Sequence, residues 1–129
     1  MRGYAREVAF CKIYSYTMCS QIDDDYSQFD EEKLGEDVDF AKSLVCGVVS
    51  SKQKLDGIIS ELSTSFKLDR IYRIDLAILE LAIWEMKFMD TPHPVVINEA
   101  VSIAKKYSTE KSVSYVNGVL AGFERSLNE

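Results

Sequence analysis

The side chains able to do chemistry are few in this chain and poorly spaced for it. His93 is the only histidine, and it lies between Pro92 and Pro94. A histidine metal site built on it would need carboxylates alone as further ligands. A lone histidine held between prolines is more simply structural or idle. Cys11, Cys19 and Cys46 are odd in number, and no two have CxxC spacing. That argues against a disulfide framework or a cysteine zinc site, so they read as small buried apolar side chains. Neighbouring acids such as Glu31 and Glu32 sit in a solvated acidic run, where burial would not tune a carboxylate for acid–base work. No GxGxxG, P-loop or HExxH pattern occurs, and no GxSxG nucleophile elbow. No metal or cofactor is expected, and the chain reads as a binding protein rather than an enzyme.

Binding then has to be argued from charge. The net charge is −6, but it is unevenly spread. Asp23 to Asp39 holds nine acids and the single base Lys33, a local charge of −8, which leaves +2 for everything else. A mildly basic body carrying an acidic loop is not the wholly basic surface of a non-specific nucleic-acid binder. Arg2 and Arg6, with Lys12 further along, put positive charge near the N-terminus, where it suits contacts to phosphate.

These residues must be positioned by helices. In 129 residues there are only two prolines and six glycines, which favours long helices over a turn-rich β architecture. A first helix is expected over residues 4–19, with Tyr4, Val8, Cys11 and Met18 at helical spacing. Residues 20–36 read as an acidic loop. A second helix is expected over about 37–52 and a third through Leu55, Ile58, Ile59 and Leu62. Ser50 and Ser51 either break or bend the chain between them. Residues 69–88 should form the central helix, being apolar nearly all round. Its Leu76–Trp84 run, interrupted by Glu80, is far shorter than the roughly 20 residues of a membrane span. Asp90–Pro94 forces a turn, and a fifth long helix starts near Pro94 and ends near Tyr107. A last helix, capped by Thr109 or Ser112, carries Val113, Val116, Val119, Leu120 and Phe123. The fold class is all-α: a single-domain bundle of about six to seven helices over residues 1–129. With no signal pattern at its start, the chain is expected in the cytoplasm.

Two stretches carry a family resemblance. Val96-Ile97-Asn98-Glu99-Ala100-Val101, followed by Ala104-Lys105-Lys106-Tyr107, resembles one conserved-looking stretch of the NusB family. Tyr115-Val116-Asn117-Gly118-Val119-Leu120 resembles a second, at the right distance. Ala77 to Glu85 is similar to a third, and Ala5-Arg6-Glu7-Val8-Ala9 with Ile13-Tyr14-Ser15 is similar to the family's first helix. The resemblance implies a fold of two packed helical halves. It also implies a transcription antitermination factor that binds boxA-type single-stranded RNA of ribosomal RNA transcripts. Its partners would be a NusE-type small-subunit ribosomal protein and the RNA polymerase antitermination complex. A homodimeric or diverged form that binds protein but little RNA is one alternative, and an RNA-binding module of a ribosomal RNA methyltransferase is another.

Residue by residue, the resemblance places Arg2, Arg6, Lys111 and Tyr115 at the RNA, and Tyr14 and Asp75 at the protein partner. An aromatic at position 115 can stack an unpaired base, and Lys111 lies one turn before it on the same helical face. Asp75 would meet a basic residue of the partner, with Arg70 or Arg73 as intramolecular competitors. The chain departs from the pattern in having only Arg2 and Arg6 where several consecutive arginines are usual, in Glu80 where Arg is frequent, and in Trp84 where Tyr is frequent. Asn98 and Asn117, poor helix formers, are expected to satisfy a neighbouring helix end. Gly118 is expected to permit a close helix–helix approach, and Glu99 to favour the positive end of its helix.

Overall fold

The computed structural model describes residues 2–64 and 66–127. They form seven α-helices: α1 Gly3–Cys19, α2 Glu31–Leu34, α3 Val38–Ser50, α4 Lys52–Leu62, α5 Arg73–Phe88, α6 His93–Tyr107 and α7 Glu110–Leu127. There is no strand among the described residues. No helix there is long and apolar enough to cross a membrane.

Local chemistry sets most of the boundaries. α1 stops at Ser20, which takes the left-handed conformation (φ 59°) and donates its N–H to the Tyr16 carbonyl. The acidic segment is shorter as a loop than the composition suggests. The Asp30 carboxylate accepts from the Glu32 and Lys33 amides and so starts α2, and a 3-10 turn at Gly35–Asp37 leads directly into α3. Acids in a first turn favour the positive end of a helix, so the same charges that suggest a solvated loop also support this turn. Ser51 alone interrupts the chain between α3 and α4, its N–H reaching both the Gly47 and Val48 carbonyls.

The central helix begins four residues later than expected. Leu68–Arg70 makes a single 3-10 turn, and Ile71 and Tyr72 are extended. Extension directs the Ile71 side chain into the core, where it is buried. α5 then lies in the middle of the bundle and packs against α1, α3, α4, α6 and α7. Eleven of its 16 residues are buried, among them Leu79 and Ile83 with no exposed surface. Each such side chain stabilises the fold by about 1.5–3 kcal/mol relative to exposure. Pro92 precedes α6 and Pro94 occupies its second position, where a missing N–H costs nothing. The Thr109 hydroxyl accepts from the Ser112 amide and caps α7.

The close helix approach is at Gly47, not at Gly118. A Cβ at Gly47 would overlap the Trp84 indole, so α3 and α5 meet through a ring seated on bare backbone. A Cβ at Gly118 would meet nothing within 4 Å. Asn98 and Asn117 are exposed, with no side-chain hydrogen bond among the described residues, so they satisfy no neighbouring helix end. Cys11 is half-buried while Cys19 and Cys46 are exposed, which corrects the reading of all three as core residues.

Candidate nucleic-acid and protein interface

The basic residues of the N-terminal helix are occupied within the fold. Arg6 is only 6% exposed. Its Nε and Nη2 donate to the two Glu85 oxygens at 2.8 and 2.6 Å, a bidentate pair between α1 and α5. Glu99 of α6 lies 4.0 Å from Nη1, so it answers α1 rather than the start of its own helix. Burial alone would weaken the Arg6 charge, and the Glu85 bonds and charge outweigh it. Arg6 ties α1 to α5, and a phosphate would have to displace Glu85 to reach it. The Lys12 ammonium is buried as well, donating to the Asp25 carbonyl at 2.5 Å and pairing with Asp23 at 3.0 Å. Arg2 stays exposed, with its guanidinium 4.3 Å above the Phe40 ring and 3.7 Å from Asp37. One residue after Arg6, Glu7 accepts from Tyr107 and pairs with Lys106. Burial and then the Glu7 bond push the Tyr107 phenol well above its ordinary range.

An open recess lies elsewhere among the described residues. A cavity of about 440 Å³ lies between the approach to α5 and the first turns of α7. Phe66, Tyr72 and Tyr115 give it aromatic walls, Arg70 and Lys111 bring two cations, and Asp75 and Glu110 bring two acids, the first of them tied up by serines. The Tyr115 ring meets Phe66 edge-on at 5.5 Å. Its hydroxyl is 2.7 Å from Ser63 Oγ, at the end of α4. This bond fixes the ring angle, and burial raises the phenol's pKa. Beyond Lys111, α7 exposes Ser114, Asn117 and Gly118, a face of small and medium side chains.

Lys111, Tyr115 and Asp75 are thus brought together, whereas Arg2, Arg6 and Tyr14 do not line this recess. Asp75 is 3% exposed and is not a free carboxylate awaiting a basic partner. Its oxygens accept from Ser108 and Ser112, both at 2.7 Å, and pin the corner between α6 and α7 to α5. Neither Arg70 nor Arg73 pairs with it among the described residues. Tyr14 is half-buried on α1 and stacks on Phe10 at 6.3 Å. Phe66, Arg70 and Tyr72 were not legible as site residues. Their only signal is an aromatic and basic cluster just before the central helix.

Residues 4–125 match the NusB family. The chain belongs to the NusB family. A transcription antitermination protein NusB from Syntrophotalea carbinolica is 37% identical, over 98% of this chain and 93% of its own length. A NusB structure from T. maritima superposes with a TM-score of 0.80 at 30% identity, covering 94% of this chain and 88% of the other. A second solved NusB, crystallised with NusE and double-stranded RNA, superposes with a TM-score of 0.78 at 26% identity, covering 97% and 96%. NusB proteins are transcription antitermination factors and not enzymes.

Proposed function

We propose that this NusB-family chain binds boxA-type RNA of ribosomal RNA transcripts together with a NusE-type small-subunit ribosomal protein. It does so in the cytoplasm, as part of a polymerase complex that carries transcription past terminators. The observation that carries this reading is the recess, where the Tyr115 face, the Phe66 edge and two cations stand beside an α7 face that is open to close approach. An aromatic platform with cations within reach can hold an unpaired base and its phosphate, even with Glu110 beside it. The NusB crystallised with NusE and RNA supports both partners by kinship. Arg2 adds a peripheral phosphate contact, and Tyr14 is the rigid aromatic anchor of the protein face.

Titrating a boxA-type RNA at two salt concentrations, with and without the ribosomal protein, tests this. Binding should be modest alone and tighter with the partner. Tyr115→Ala should weaken RNA binding by about 1–3 kcal/mol. Lys111→Ala should lower the salt slope by about one charge. Tyr14→Asp should cost about 2 kcal/mol or more in partner affinity, and leave RNA binding by the isolated chain nearly unchanged. Full RNA affinity in the Tyr115 and Lys111 variants would remove the recess from the reading. A partner that adds no affinity would remove the heterodimer.

A further inference from the structure

One buried cluster has no part in the interface. Glu80, in the middle of α5, has no exposed surface. Its Oε2 accepts from Lys52 Nζ at 2.6 Å, and the same ammonium lies 3.2 Å from Asp56 Oδ2, one turn further along α4. The remaining oxygen of each acid, Glu80 Oε1 and Asp56 Oδ1, is shut off from solvent and has no hydrogen-bond partner among the described residues. Two ionised carboxylates around one ammonium would leave a net negative charge and two unsatisfied oxygens in the packed seam, which is costly. The Glu80 and Asp56 side chains lie within hydrogen-bond reach of each other, so a single proton resolves both faults: one acid becomes an O–H donor to the other.

We propose that Glu80 and Asp56 share one proton at neutral pH, so that the seam between α4 and α5 is a latch that weakens as the solution turns alkaline. The other elements packed on α5 bring their charges to different places. α1 brings Arg6 to Glu85, α6 brings Glu99 to Arg6, and the α6–α7 corner brings Ser108 and Ser112 to Asp75. α3 has no buried charged residue. Only α4 faces Glu80 with charge, through Lys52 and Asp56.

Burial first, and then the hydrogen bond and charge of Asp56, push the Glu80 carboxyl up to about 8 against the opposing pull of Lys52. Since the folded value lies above the unfolded one, the fold holds a proton that the unfolded chain has already released over the interval between them. Stability from this proton is complete below the ordinary carboxylate range and is lost as pH rises toward and through 8. The latch lies at the N-terminal turn of α4, whose other end holds the Tyr115 hydroxyl through Ser63.

The test is denaturant unfolding of the full chain from about pH 5 to pH 9.5, for the wild type, Glu80→Gln and Asp56→Asn. Glutamine keeps the shape and a permanent donor toward Asp56. The folding constant of the wild type should fall relative to Glu80→Gln by about a hundredfold or more across this range. Asp56→Asn, which leaves Glu80 buried and removes only the Asp56 hydrogen bond and charge, should flatten the wild-type slope in part. Parallel curves for wild type and Glu80→Gln would overturn the proposal. Should either variant fail to fold, infrared spectroscopy of the wild type in heavy water decides. A buried carboxylic-acid carbonyl band at pH 7 that vanishes on alkalinisation is expected, and its absence at pH 7 would equally overturn the shared proton.

Discussion

Arg6→Ala separates two accounts of the N-terminal helix. The substitution removes two hydrogen bonds, of 2.8 and 2.6 Å, and leaves the Glu85 carboxylate, 1% exposed, without its counter-charge. Removing one partner of a buried pair costs about 3–5 kcal/mol, because the other charge stays buried alone. Against a total stability of about 5–15 kcal/mol, that is a large share. For a chain of this length each kcal/mol moves the melting midpoint by about 3–5 °C, so the loss is roughly 10–20 °C. Removing both charges in an Arg6→Met, Glu85→Met double variant should recover most of it, since apolar replacement of a buried pair is near neutral. Circular dichroism melts read the stability. RNA titration below the variant's melting range reads the binding. A phosphate contact predicts the reverse pattern: an unchanged midpoint with RNA affinity lowered and its salt slope reduced by about one charge. That outcome, with Glu85 tolerating its solitude, would refute the ion-pair account.

Further expectations follow from packing. Gly47→Ala should cost about 1–3 kcal/mol in denaturant unfolding, because the new methyl group must displace the Trp84 ring. Gly118→Ala should instead stabilise the chain by up to about 1 kcal/mol, as helix propensity improves and nothing is met within 4 Å. Any RNA-affinity loss in this stable variant would show that the open α7 face is used. Asp75→Ala should cost about 1–3 kcal/mol by taking the acceptor from Ser108 and Ser112, and this should appear as a lower melting midpoint in the absence of any partner.

The helices were legible because their apolar spacing is regular, and α5 announced its central place by being apolar on nearly every side. What periodicity could not show was the pairing of charge across the bundle. Arg6 looks like the polar side of α1, yet its partner is 79 positions away. A charged residue that is buried only with its partner present carries no local mark of that partner. Asp75 misled in the same way, its acceptor role being fixed by two serines at a corner more than 30 residues downstream. The glycine reading failed at Gly118 and missed Gly47, because a glycine does not declare what its missing side chain makes room for. Lys111 and Tyr115 were reached by kinship alone. The rest of their recess comes from an irregular segment that no repeat pattern describes.

The contacts that bind α1 to the C-terminal half bear on the order of events during synthesis. Arg6 reaches Glu85, and Glu7 reaches Tyr107, 100 positions later in the chain. At about 5–20 residues per second, α1 is made roughly 5–20 s before its last partner exists. Through that interval Glu7 stays in water, and until α5 is made Arg6 does too, while the apolar face of α1 has only α2 and α3 to lie against. An early helix is therefore fastened late, and a nascent chain stalled before α5 would hold α1 on its contacts with α2 and α3 alone.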